Sequence, residues 1–333
     1  MADRTRAAGG NVRLHVVTGK GGTGKSTVAA ALALALAAGG KKVLLCEVEG
    51  RQGIAQMFDV APLPYEERRV AVAPDGGDVY ALAIDPEAAL LEYLEMYYRL
   101  GRAGRALDRF GVIDFATTIA PGLRDVLLTG KVFEAVRRRA SKGSQRPAYD
   151  AVVLDAPPTG RITRFLNVNA AMAGLARVGP IRNQADAIMT LLRSRRTAVH
   201  LVTVLEEMPV QETQDAIDEL TAAELPVGSV VVNFVRRSGL SGRALDLAES
   251  GDLPAKGLRD GLVDAGIKPT EALVGALQQT AAEQAQRLQL EATQRRLVEK
   301  MDRPVVELPL DPDGIDLGSL YELAQEIQDQ GLA

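Results

Sequence analysis

The stretch Gly19-Lys20-Gly21-Gly22-Thr23-Gly24-Lys25-Ser26-Thr27 decides the fold. Before it lies an apolar run, Val12–Thr18, that reads as a buried strand; after it an Ala- and Leu-rich stretch, Lys25–Ala38, reads as a helix. Strand, glycine-rich loop and helix in that order satisfy G-x-x-x-x-G-K-[ST], a phosphate-binding loop. Glycines let the backbone curl so that successive N–H groups point at phosphate oxygens, and the helix N-terminus adds its positive end. In this pattern Gly19, Gly21, Gly22, Thr23 and Gly24 form the cradle. Lys25 reaches the β- and γ-phosphates of ATP, the Ser26 hydroxyl binds Mg2+, and Thr27 lies within reach of the α-phosphate.

Working outward, further apolar runs read as strands: Lys42–Glu47, Val79–Ile84, Asp150–Asp155, Val199–Leu205, Gly228–Asn233 and Pro304–Leu308. Most are Val- and Leu-rich without polar alternation, as expected of strands buried on both faces of a parallel sheet. Helical patterns at Val210–Ala223 and Leu317–Gln330 complete the alternation. The expected fold is therefore α/β: a P-loop NTPase with a doubly wound, mostly parallel sheet and helical insertions, spanning 1–333 as one domain. One insert occupies roughly 86–145, where apolar residues from Leu90 to Val136 recur at helical spacing, and a second helical segment occupies roughly 238–301, ending in a charged helix at Ala281–Met301.

Composition excludes several classes. Lys+Arg is 39 against 43 Asp+Glu, which argues against a nucleic-acid-coating protein. The single cysteine, Cys46, rules out an internal disulfide, a four-cysteine zinc site and a fully cysteine-ligated iron–sulfur cluster within one subunit. The longest apolar stretch, Val28–Ala38, falls far short of the about 20 residues of a membrane span. A cytoplasmic protein is expected, without zinc, iron–sulfur cluster, nucleic acid or a membrane span of its own.

Asp155 closes an apolar strand and precedes Ala156-Pro157-Pro158-Thr159-Gly160. That placement suits a carboxylate that organises Mg2+ together with Ser26, and a following loop that responds to the γ-phosphate. Lys20 adds a further mark, because a second lysine at this position gives the deviant form G-K-G-G-x-G-K-[ST]. In ATPases of that form two subunits face each other across nucleotide, and this lysine reaches into the opposite site to counter charge on the transferring phosphoryl group.

These motifs together resemble the ArsA family, the anion-transporting ATPases and their relatives that target tail-anchored membrane proteins. The phosphate loop matches the family pattern throughout. Residues 155–166 are similar to its switch II, D-T-A-P-T-G-H-T-L-R-x-L, and Ala120-Pro121-Gly122 with Asp125 to its A-P-G-x-x-E. Glu206 with Glu212-Thr213 resembles P-E followed by E-T; Asn233 ends a strand where the family's asparagine reads adenine; Val306-Glu307-Leu308-Pro309-Leu310 is similar to the V-P-L strand and adenine loop. The resemblance implies a Mg-dependent dimeric ATPase that binds ATP and ADP. It implies catalytic roles for Lys20, Lys25, Glu49 and Asp155, and nucleotide contacts from Gly19 to Thr27 and from Asn233, Pro309 and Asp311.

Departures from the family qualify the expectation. Where its switch I reads D-P-A-H, this chain has Glu49-Gly50-Arg51-Gln52, so the water-positioning carboxylate sits on a longer arm. A misplacement near 1 Å costs on the order of 100-fold in rate, which predicts slow or partner-dependent hydrolysis. Arg161 replaces the switch II histidine. The zinc clamp of the eukaryotic targeting members and the arsenite-binding cysteines are absent. The insert at 86–145 stands where the targeting members hold a hydrophobic helical client, or else it only packs on the sheet. Three readings follow: a dimeric switch ATPase of the ArsA class, homo- or heteromeric; a nucleotide-binding subunit paired with a related, more active ATPase; and a MinD- or ParA-like positioning ATPase.

Overall fold

The computed structural model describes residues 12–50, 52–98, 122–175, 180–236, 239–240 and 242–333. Eight strands form one sheet: β1 (Leu14–Gly19), β2 (Lys42–Glu47), β3 (Arg68–Val72), β4 (Asp78–Ala83), β5 (Ala151–Asp155), β6 (Thr197–Thr203), β7 (Val227–Val235) and β8 (Val305–Pro309). Their order is β3-β4-β2-β5-β1-β6-β7-β8. All pairs are parallel except β3 with β4. The central strands are buried end to end, which explains their unbroken apolar runs.

The chain leaves β1 in one direction to reach β2 and returns later to β6 on the other side. Order therefore reverses around β1, and in such sheets ligands bind at the carboxyl ends of the strands beside the reversal. Helix α1 (Lys25–Ala37) leaves β1 there, buried from Val28 to Ala37. It packs with the last helix, α11 (Leu317–Asp329), against one face of the sheet. The other face is covered by α4 (Leu123–Arg137), α5 (Thr159–Leu175), α6 (Pro180–Leu192) and α7 (Glu207–Ala222). The short α2 (Gly53–Met57) follows β2, and α3 (Pro86–Tyr98) follows β4. Between β7 and β8 lie α8 (Gly242–Glu249), α9 (Ala255–Asp264) and the long α10 (Glu271–Glu299).

Two elements differ from the pattern-based expectation. Strand β3, Arg-Arg-Val-Ala-Val, has only a short apolar run, Val70–Val72, to announce it: it is a partly exposed antiparallel edge, and edge strands carry charge that deters further pairing. Helix α10 begins at Glu271, ten residues before the expected Ala281. Thr270 caps it by accepting from the Leu273 N–H at 3.2 Å, and only a thin stripe of Val274, Ala281, Ala285, Glu291 and Val298 is buried. A helix so exposed shows little apolar periodicity in its first turns. Within the stretch 86–145, α3 and α4 are present, while residues 99–121, including Phe110, Ile113 and Phe115, lie outside the described residues. No helix among the described residues is long and apolar enough to cross a membrane.

The sheet also buries both of the chain's histidines. His15 Nδ1 and His200 Nε2 are 3.1 Å apart, and the Ser229 N–H donates to His200 Nδ1. Burial pushes His15 down to about 3, helped by its neighbour, and His200 down to about 4. Both rings are therefore neutral in the folded protein, whereas an unfolded chain binds protons below about 6.5. The stability they confer is complete above pH 6.5 and is lost as pH falls toward 4. In NMR of the untagged chain, both histidine ring signals are expected to stay unshifted from pH 8 to 5 while the urea midpoint falls. A ring titrating near 6.5 would contradict this.

Candidate active site

The phosphate loop starts where β1 ends. Gly19 lies opposite Val202 in the β6 pairing, and a Cβ there would sit 2.2 Å from the Val202 carbonyl oxygen. Gly24 turns the chain into α1 with φ 82°, and a Cβ on it would meet Asn233 Nδ2 at 2.3 Å. Both positions exclude a side chain for steric reasons. The Asn233 amide lies against this turn because Nδ2 donates to the Thr23 carbonyl at 2.9 Å. That bond ties the end of β7 to the loop and uses one N–H of the amide, leaving Oδ1 with acceptor capacity and the second N–H as a donor.

At the first turn of α1, Ser26 Oγ donates to Asp155 Oδ2 at 2.6 Å. Strand register sets this up: Asp155 pairs with Val17 of β1 on one side and with Glu47 of β2 on the other. Two strand-end acids thus share one row, and both are buried. Burial pushes the Asp155 carboxyl up to about 6. The Ser26 bond and the Lys25 charge oppose the shift, and the negative charges of Glu47 and Glu49 reinforce it. A hydroxyl and a carboxylate are hard oxygen donors, and crowded carboxylates are relieved by a cation. The residues present therefore fit magnesium. Glu47 also accepts from the Gly53 N–H at 3.2 Å, fixing the start of α2. Its signal in the sequence was the acid closing β2, at the same place as Asp155 closing β5.

The loop after Asp155 is fastened to β1. The Ala156 N–H donates to the Val17 carbonyl at 3.0 Å, and Thr18 Oγ1 donates to the Pro157 carbonyl at 2.7 Å. Farther along, Arg161 lies 3.7 Å from Asp125 at the start of α4. A cavity of about 140 Å³ there is lined by Glu49, Arg124, Asp125, Pro157, Arg161 and Phe165. Residues of both expected switch segments thus meet α4. Gln52 is held in a left-handed conformation, φ 56°, by a two-way amide clamp to Leu63 at 3.1 and 2.7 Å. Arg51 lies outside the described residues.

Lys20 stands apart from Lys25. Its Nζ lies 2.7 Å from Glu212 Oε1 on α7, at the rim of a cavity of about 650 Å³ formed by the loop, the start of α7, the end of β7 and α10. Sequence reasoning noted Glu212 through its motif but not this pairing. Pro309 ends β8 beside Val235. Asp311 accepts from Ser319 Oγ at 2.5 Å, in the capping arrangement of α11. Neither Pro309 nor Asp311 lines that cavity.

Comparison with known proteins shows the family. The family model described as anion-transporting ATPase matches residues 12–194. ATPase BagA of Mycobacterium tuberculosis is 56% identical over 321 residues, covering 96% of this chain and 94% of that protein. An arsenical pump-driving ATPase of Escherichia coli is 29% identical over 236 residues, 66% of this chain and 38% of its own length. The ATPase get3 of Schizosaccharomyces japonicus is 25% identical over 250 residues, covering 65% and 72% respectively.

The glycine at the loop-to-helix turn gives a direct check. Gly24→Ala forces a left-handed alanine and a collision with Asn233, a strain of about 1–3 kcal/mol. Urea denaturation should show a loss of that order, and binding of a fluorescent ATP analogue should weaken at least about tenfold, a shift of about 1.4 kcal/mol. Unchanged binding would remove this turn from the site.

Proposed function

The chain belongs to the anion-transporting ATPase family, and from that premise we propose that it is a magnesium-dependent ATPase whose two switch segments respond to the nucleotide. The observation that carries the reading is the 2.6 Å hydrogen bond from Ser26 Oγ to Asp155 Oδ2, at the mouth of a complete phosphate loop. Ser26 and Asp155 would hold magnesium, which supplies charge neutralisation at the β- and γ-phosphates. Lys25 binds the same phosphates, and the loop N–H groups from Gly21 to Ser26 orient them. Glu49 positions the attacking water. Asn233, with one N–H committed to Thr23, keeps Oδ1 to accept from the 6-amino group of adenine. In this reading Pro309 and Asp311 shape the adenine side, and Asp311 does so by bracing the loop before α11.

A change at the γ-phosphate would move the Ala156–Gly160 loop, and Arg161 would pass that movement to Asp125 and α4. A hydrophobic helical client at the 86–145 insert is the use of this movement that the family resemblance favours. The Escherichia coli relative is named for driving an arsenical pump. Here the only thiol, Cys46, is buried in β2 and pushed well above its ordinary pKa by burial, which argues against metalloid capture by this chain itself. The positioning-ATPase reading loses support from α11, because Leu320, Leu323, Ala324 and Ile327 are buried in the core and leave no free apolar face for a membrane.

A second reading, a nucleotide-binding subunit that needs a related ATPase as partner, is favoured by Glu49. Its longer arm lines the cavity shared with Arg124, Asp125 and Arg161. Steady-state phosphate release separates the two. The ATPase reading expects Mg-dependent turnover that falls on the order of 100-fold or more in Lys25→Ala. Tight ATP binding with no turnover, raised by adding a related ATPase, supports the second reading. Absence of ATP binding overturns both.

A further inference from the structure

The deviant loop carries two lysines five residues apart, and the fold sends them to different places. Lys25 acts on Asp155 at the strand ends, while Lys20 lies on the cavity rim in contact with Glu212. The contact is short, 2.7 Å, although both side chains are about one-third exposed, at 33% and 34%. An ion pair so accessible contributes little to folding stability. What it does is order a long, rotamer-rich side chain.

Glu212 is well placed to do this because its own helix is fixed. The neighbouring Thr213 is buried and donates to the Pro209 carbonyl at 2.8 Å, and Val210, Ala216 and Ile217 sit in the core. The other cations lining the same cavity are held in the same manner. Arg236 donates to Glu291 at 2.7 Å, and Arg287 lies 3.8 Å from both Glu206 and Glu291. Glu291 is itself buried on α10. The cavity wall therefore presents cations whose positions are set by carboxylates behind them. Of these cations, Lys20 is the one that belongs to the phosphate loop.

We propose that Glu212 is a positioning residue for Lys20. It holds the lysine on the cavity rim, apart from the phosphates that Lys25 serves, and so presents it to a phosphate carried by a second subunit. The proposal rests on the reading of this chain as an ATPase and on the trans role that the deviant loop implies for Lys20. One N–H of the ammonium is committed to Glu212, and two remain for phosphate oxygens. Without the carboxylate, Lys20 loses its fixed direction and becomes free to fall onto its own nucleotide. Chemical turnover then suffers, while binding of ATP to the isolated subunit does not weaken.

The test uses the full chain with Glu212→Gln, which keeps the shape and removes the charge, and Glu212→Asp as the conservative variant. Fixing one long side chain is worth about 0.5–1.5 kcal/mol, so kcat should fall about two- to twelvefold in Glu212→Gln with KM unchanged or lower. Glu212→Asp should recover part of the loss, and Glu212→Gln should add nothing to Lys20→Ala. A kcat equal to wild type, or a loss that multiplies fully with that of Lys20→Ala, overturns the proposal. A readout without nucleotide separates it from the ATPase reading: reductive methylation of Lys20, followed by mass spectrometry, should be several-fold faster in Glu212→Gln. Equal reactivity defeats the proposal even where turnover is normal. Faster reactivity with no ATP binding by wild type defeats the functional reading and leaves only the ion pair.

Discussion

The hydrogen bond from Ser26 Oγ to Asp155 Oδ2 joins the first turn of α1 to the end of β5, and much else at the site follows from what it requires. Asp155 must end its strand level with Val17, so that the chain leaving β1 can curl back over it. Gly19 must lack a side chain, because the β6 carbonyl occupies that space. Gly24 must turn left-handed beside Asn233. The bond also places a carboxylate where water is largely excluded and other acids are near, which pushes Asp155 up to about 6. A buried carboxylate crowded by other acids has the chemistry that a hard cation relieves.

Charge is sorted around this centre. Carboxylates of Glu47, Glu49 and Asp155 act on one side of the loop, with Lys25 among them. On the other side, cations stand in front of acids: Lys20 before Glu212, Arg236 before Glu291, and Arg287 between Glu206 and Glu291. Lys25 opens α1 beside Asp155, whereas Lys20 faces a cavity bounded by α7 and α10. The two lysines of one motif therefore stand in different surroundings, Lys20 against Glu212 of α7 and Lys25 among the strand-end acids.

Much of this was legible in the chain itself. Buried parallel strands announce themselves as unbroken Val and Leu runs, and the phosphate loop carries its own strand and helix on either side. Asp155 was readable because it ends such a run. Glu47 was less so, since its importance comes from lying beside Asp155 in a non-sequential pairing of β2 with β5. Strand β3 was hard to read because an edge strand is partly exposed and its apolar run, Val70–Val72, is too short to stand out. The start of α10 was hidden for the same reason, its buried stripe being too thin to generate a period. The Lys20–Glu212 contact spans 192 positions, and no local pattern encodes it. Long-range polar contacts depend on topology, and topology is visible only after the sheet order is known.

The central claim is that Asp155 and Ser26 are a magnesium site built into the phosphate loop. Calorimetric titration of ATP into wild type and Asp155→Asn, each with and without Mg2+, tests it most directly. The account predicts that Mg2+ tightens ATP binding by wild type and has little effect on the variant, with both proteins retaining metal-free binding through Lys25 and the loop. An equal effect of Mg2+ on the two proteins would contradict it.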